Sequence, residues 1–277
     1  MKHAEGTFKS LRGLKIFYQG WLPDGDVKAV LFIVHGLGEH SGRYMNVVDH
    51  FVPLGYAVYG LDHIGHGKSD GGREQVDRFE DFARPLTAYY NMIKGWQPGK
   101  PIFLYGHSLG GLIACNYLVD HQADFKGAII SAALVRVPAN ISPVTVAMGK
   151  VLSSIAPKAG VVPLNAAGIS RDPAVVDAYE NDPMVFHGKT PARLAAEMLK
   201  TMQCLAEEAG RITLPLFILQ GSADKLVDPG DAQLLYDKAS SKDKTLKMYA
   251  GFYHEVHNEP EREMMFKDLE AWLHAHI

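Results

Sequence analysis

Gly106-His107-Ser108-Leu109-Gly110 sits between the apolar run Pro101–Tyr105 and a second run, Gly111–Val119. The first run has the length and content of a strand buried on both faces, and the second reads as a helix. Two glycines around a serine at such a junction predict a very tight turn. Side chains at either glycine would meet neighbouring backbone, and the serine is held strained at its tip with its hydroxyl at the helix N-terminus. The plainer reading is a glycine-rich turn that happens to expose a serine. The strand before and the helix after favour a nucleophile turn.

Outward from that turn, further β-branched runs have strand length: Ala29–Val34, Ala57–Gly60, Ala128–Ser131, Leu216–Leu219 and Thr245–Tyr249. Helix-like stretches separate them, at Tyr44–Val52, Glu80–Ile93, Leu109–Asp120, Asp231–Lys238 and Glu261–Ala275. Thr7–Ser10 and Leu14–Leu22 suit an opening hairpin. Strand–helix alternation around a G-x-S-x-G elbow predicts the α/β-hydrolase fold: a mostly parallel central sheet with helices on both faces.

The alternation breaks between about Arg136 and Gly210, a stretch with seven prolines, at 138, 143, 157, 163, 173, 183 and 191. Val144, Met148, Val151, Leu152 and Ile155 fall on one side of a helix there. Thr190-Pro191 reads as the capped start of a second helix. The expected organisation is a core of residues 1–135 and 211–277 with an inserted helical cap, or lid, at 136–210. Such an insertion lies over the carboxyl ends of the strands, where ligands bind. Packing on the main domain is the plain explanation of the apolar helix face; transient membrane contact through the cap is the sharper one.

Composition excludes several classes. Lysines and arginines number 28 against 31 acidic residues, a formal charge of -3, so no nucleic-acid partner is expected. No apolar run approaches the roughly 18 residues of a membrane span, and the N-terminus does not read as a secretory signal. Cys115 and Cys204 are too few for a disulfide framework, which suits a cytoplasmic setting, free or peripheral to a membrane. The acceptor triplet Asn140-Ile-Ser142 is then accidental. Cys115 reads as an inert core thiol.

A serine hydroxyl needs a base. Thirteen histidines make counting useless, but His254 lies just after the last predicted strand, and Asp224 just after Leu216–Leu219. The order Ser108, Asp224, His254 is that of this fold's triads. Asp228 is the rival acid and His257 the rival base. Leu109 N–H, and Leu37 N–H in His35-Gly36-Leu37-Gly38, are the expected oxyanion donors. No metal or organic cofactor is required by this chemistry.

The runs His35–Tyr44, Asp62–Ser69, Gly106–Gly111, Gln220–Asp224 and Lys244–His257 resemble monoacylglycerol lipases and related lysophospholipase-like hydrolases, over nearly the whole chain except the insertion. The resemblance implies a capped Ser108-Asp224-His254 triad acting on a lipid ester with one acyl chain. It also implies that Glu39, Arg43 and His257 surround the glycerol hydroxyls or the alcohol exit path. A simple i,i+4 pairing of Glu39 with Arg43 is the alternative. A broad carboxylesterase or lysophospholipase on the same scaffold is the rival activity. A non-catalytic small-molecule receptor is the rival class.

Overall fold

A computed structural model describes residues 1–138 and 141–277; Asn140 of the acceptor triplet lies outside them. The central sheet has eight strands: β1 (Lys2–Lys9), β2 (Lys15–Leu22), β3 (Ala29–Val34), β4 (Tyr56–Leu61), β5 (Ile102–His107), β6 (Gly127–Ser131), β9 (Leu216–Gly221) and β10 (Lys244–Tyr249). Their order is β1-β2-β4-β3-β5-β6-β9-β10. The opening hairpin is antiparallel, β2 pairs antiparallel with β4, and all remaining neighbours are parallel.

Strand pleating sends alternate side chains to opposite faces, and each face is covered by helices. Val30, Phe32 and Val34 of β3 join the core beneath α2 (Ala83–Trp96), α3 (Leu109–His121) and α7 (Gly230–Lys238). Ala29, Leu31 and Ile33 join the other core, beneath α1 (Met45–Phe51) and α8 (Glu263–His276). Because β3 is enclosed on both sides, its sequence is continuous apolar residue rather than alternation. The α/β-hydrolase architecture expected from the sequence is the one observed.

The inserted region contains α4 (Pro143–Ile155), the short strand β7 (Gly160–Pro163), α5 (Pro173–Glu180), the short strand β8 (Lys189–Pro191) and α6 (Ala192–Glu208). Two expectations need correction. Thr190 does not cap a helix: it lies in β8 opposite Val162, and α6 starts two residues later. The first amides of α6, Ala192 N and Arg193 N, instead donate to Ala159 O and Pro157 O, so a neighbouring loop does what a capping side chain would. Nor does the apolar face of α4 pack on the main domain. Val144, Met148, Val151 and Ile155 are 68%, 67%, 61% and 76% exposed. The weld to the core is made by α6, whose Leu194, Met202 and Leu205 belong to the main apolar cluster. Among the described residues no helix is long and apolar enough to cross a membrane.

Candidate active site

Ser108 stands between β5 and α3 with φ 55° and ψ -120°, a conformation that costs about 1–3 kcal/mol and persists only where the surroundings enforce it. The flanking glycines are the enforcement. A Cβ on Gly110 would sit 2.0 Å from Val34 O, and one on Gly106 would sit 2.6 Å from Gly110 O. No side chain can be accommodated where the obstacle is backbone. Ser108 N donates to Ser131 O at 2.9 Å, which ties the turn to β6.

His254 is reached over the strand ends from the loop after β10. Its Nδ1 donates to Asp224 Oδ2 at 2.7 Å. Gln220 Nε2 donates to the same oxygen at 2.8 Å, while Leu226 N and Val227 N donate to Oδ1 at 2.8 and 3.0 Å. Burial pushes the Asp224 carboxyl upward, but the His254 imidazole and these two amides outweigh it and hold its pKa below the ordinary value. Asp224 is therefore a fixed anion behind the ring, and the ring's proton sits on Nδ1. The rival acid Asp228 pairs instead with Arg136 at 2.6 Å and is exposed. Ser108 and His254 share one cavity wall, with no hydrogen bond between them among the described residues. That link is often long in free enzymes and closes on substrate.

Leu37 N–H and Leu109 N–H, the two expected donors, have no acceptor among the described residues. Leu37 lines the cavity at Ser108, and Leu109 opens the helix directly after it. Two unpaired amides beside a serine hydroxyl are what developing negative charge on an attacked carbonyl would require.

Glu39, Arg43 and Glu255 form a buried network in the same wall. Arg43 Nη1 donates to Glu39 Oε2 at 2.7 Å and to Glu255 Oε1 at 2.5 Å, and Nη2 donates to Glu255 Oε2 at 2.9 Å. Glu39 Oε1 also accepts from Gly36 N at 2.6 Å and from Tyr44 Oη at 2.8 Å. Burial raises both carboxyls, but for Glu255 the doubly bonded guanidinium dominates and holds it at about 2. For Glu39 burial dominates and its pKa is raised. The i,i+4 pair exists, then, as one arm of a larger cluster. His257 stacks on Tyr44 with ring centroids 4.8 Å apart and lies behind the cavity rather than in its wall.

Sequence reading missed several participants. Gln220 and Glu255 lie inside the quoted runs Gln220–Asp224 and Lys244–His257 but were given no role, and an acidic residue between His254 and Val256 was a usable signal. Tyr179, whose ring centre lies 4.6 Å from the Arg43 guanidinium carbon, comes from α5 in the inserted region, where no motif marked it. Cys115 is fully buried, which raises its thiol to about 12, as an inert core cysteine requires.

The cavity at Ser108 is small, about 20 Å³, and is also lined by Leu164, Ile169 and Tyr179 from the inserted region and by Leu226. Leu226 also borders a larger hollow of about 460 Å³, with Leu134, Pro138, Ile141 and Val227 beside Arg136, Asp228 and Asp231. Leu226 thus borders both the Ser108 cavity and a hollow whose lining is part apolar and part charged.

Straining a serine between a parallel strand and a helix, with an anion-backed imidazole opposite, is what serine hydrolases of the α/β-hydrolase fold do, and this chain is of that class. It belongs to the family described as serine aminopeptidase, S33, whose model matches residues 25–261. The monoacylglycerol lipase of Mycolicibacterium smegmatis is 37% identical over 274 residues, covering 99% of this chain and 98% of that protein. The monoglyceride lipase of Homo sapiens is 35% identical over 264 residues, 94% of this chain and 87% of that protein. The crystal structure of the Paleococcus ferrophilus monoacylglycerol lipase superposes with a TM-score of 0.83 at 29% identity, covering 100% of both chains.

Proposed function

We propose that this chain hydrolyses the ester bond of monoacylglycerols to a fatty acid and glycerol, with Ser108 as nucleophile, His254 as general base and acid, and Asp224 as its anchor. The observation that carries the reading is the His254–Asp224 pair, 2.7 Å apart, sharing a cavity wall with the strained Ser108. His254 Nε2 takes the hydroxyl proton as Ser108 Oγ attacks the carbonyl carbon, and Leu37 N–H and Leu109 N–H receive the oxyanion. Each such donor is worth about 3 kcal/mol in the transition state. His254 then protonates the leaving alcohol, and water attacks the acyl-serine by the same route.

The apolar side of the hollow beyond Leu226, made by Leu134, Pro138, Ile141 and Val227, suits the acyl chain, and the polar wall of Glu39 and Arg43 suits the alcohol, with His257 supporting that wall from behind. Two carboxylates against one guanidinium leave no surplus cation to receive a phosphate, which favours glycerol over a lysophospholipid headgroup. The cap, residues 136–210, acts in this reading as the lid. The exposed stripe Val144, Met148, Val151 and Ile155 on α4 gives it a surface for transient contact with the aggregate that holds the substrate.

The test is a panel of glycerol esters from short to long acyl chain, beside ethyl esters and lysophospholipids, with Ser108→Ala as control. Monoacylglycerol turnover should exceed that of the phosphate-bearing substrates and vanish in the variant. Full activity of Ser108→Ala would refute the mechanism; preference for lysophospholipids would refute the substrate.

A further inference from the structure

The inner segment of the cap is bonded to the core at two places. On the side of His254, Ser170 Oγ donates to Asn258 O at 3.2 Å, Glu255 N donates to Ile169 O at 2.7 Å, and Arg171 pairs with Glu259. On the other side the bonds end on the loop that carries Leu37. There Asp182, in the turn after α5, uses both of its carboxylate oxygens. Oδ1 accepts from Met184 N at 2.8 Å and Val185 N donates to Asp182 O at 3.1 Å, which folds residues 182–185 into a tight turn. The next amide, Phe186 N, is thereby aimed at Gly38 O and donates to it at 2.8 Å.

Oδ2 meets His40 Nε2 at 2.8 Å. His40 Nδ1 accepts from Gly42 N at 3.1 Å, so the proton of the neutral ring lies on Nε2 and is donated to Asp182. The oxyanion loop is thus held on both sides of Leu37. Upstream, Gly36 N is fixed on Glu39 Oε1 at 2.6 Å. Downstream, Gly38 O and His40 are both fixed by the turn that Asp182 organises. Gly38 has φ +73°, and a Cβ there would lie 3.3 Å from Phe186 O, so turn and loop are in direct backbone contact.

We propose that Asp182 is a positioning residue for the oxyanion loop, a cap carboxylate that keeps Leu37 N–H aimed over Ser108 through His40 and Phe186 N. The inference rests on the hydrolytic reading above. It divides the cap into an inner segment that completes the catalytic geometry and an outer helix, α4, that does not. Misplacing a catalytic group by about 1 Å can lower the rate by roughly 100-fold, so the expected loss lies in kcat rather than KM.

The experiment uses the full chain and a short, soluble ester. Asp182→Ala should lower kcat by about 10- to 100-fold with KM nearly unchanged, and should slow inactivation by a serine-directed organophosphonate in proportion. Asp182→Asn preserves shape but can serve only one of the two partners. With its amide nitrogen toward His40, two donors face each other; flipped, it abandons Met184 N. Its kcat should fall between wild type and Asp182→Ala, and it decides the question should the alanine variant not fold. His40→Ala combined with Asp182→Ala should lose little more than either alone.

Glu197→Ala is the control. It removes the tie from α6 to Phe79 N, 3.1 Å long, without touching the oxyanion loop, and should leave kcat near wild type. Wild-type kcat in folded Asp182→Ala or Asp182→Asn would overturn the proposal, and so would an equal loss in Glu197→Ala. A wild-type chain that neither turns over esters nor labels at Ser108 would instead sink the hydrolytic reading itself.

Discussion

Replacing Arg43 by methionine tests the buried network most directly. Methionine keeps much of the length and apolar bulk and removes only the charge and its donors. In wild type the side chains of Arg43, Glu39 and Glu255 are 9%, 4% and 4% exposed, so water does not fill the gap. Glu39 Oε1 would retain Gly36 N and Tyr44 Oη, and Glu255 Oε2 would retain Asn258 Nδ2 at 2.7 Å. Glu255 Oε1 and Glu39 Oε2 would lose their donor, leaving two carboxylates with no cation between them. Removing one partner of a buried ion pair costs about 3–5 kcal/mol. For a chain of 277 residues that corresponds to a fall in Tm on the order of 10 °C.

Urea unfolding at pH 7 and pH 5 is the assay. Glu255, held at about 2 by Arg43, contributes stability that is present above its unfolded value and lost as pH falls through the folded one. Without Arg43 its pKa rises, so the deficit should be largest at pH 7 and should shrink in acid. Adding Glu255→Gln to Arg43→Met should restore most of the loss. A deficit under about 1 kcal/mol, or one that Glu255→Gln leaves unchanged, would refute the reasoning. Turnover separates structure from recognition: an alcohol-side role predicts a larger loss with a glycerol ester than with the ethyl ester of the same acid.

Glu74 is 2% exposed, with φ 53°, and burial pushes its carboxyl up to about 7 from 4.5, against a smaller opposing effect of the Thr190 hydroxyl. A raised carboxyl pKa contributes stability fully present below 4.5 and lost as pH rises through about 7. Glu74→Gln should therefore match wild type in acid and exceed it by up to about 3 kcal/mol well above pH 7; superimposable Tm–pH curves would contradict this. Gly110→Ala should destabilise by at least about 3 kcal/mol in urea unfolding, since its Cβ meets backbone oxygens. Gly149→Ala, on α4 with nothing within 4 Å of the new Cβ, should stabilise by about 1 kcal/mol. Asp224→Asn should lower kcat by about 10⁴-fold at nearly constant KM, because the amide favours the wrong His254 tautomer; a loss under tenfold would remove Asp224 from the relay. Replacing Met148 and Val151 by serine should weaken sedimentation with phospholipid vesicles and spare hydrolysis of soluble esters; unchanged sedimentation would leave α4 without a membrane role.

The sheet was legible because its causes are local. Residues on β3 and β5 are apolar on both faces, so their sequences announce burial, and β2 to β6, β9 and β10 begin and end within two residues of the runs that predicted them, whereas β1 starts five residues before the expected Thr7. The elbow was legible for the same reason: its glycines answer to backbone within a few residues or on the adjoining strand. Ser108, Asp224 and His254 were singled out by their places at strand ends, and the structure brings the last two together at 2.7 Å.

What the sequence alone could not decide was partnership across distance. The strands β7 and β8 and the loop-capped start of α6 have weak local signals, because their bonds run to other segments, whereas α5 carried a local cap signal, Asp172-Pro173, that the reading passed over. The same holds for α4, whose periodicity established a helix with an apolar side but not that this side faces water. Glu255 meets Arg43 across 212 positions and Asp182 meets His40 across 142. Backbone preference and apolar spacing are properties of a short stretch and survive in the one-dimensional chain. A hydrogen bond between remote side chains exists only once the sheet and the inserted region have packed, and it is that packing which chose these pairs.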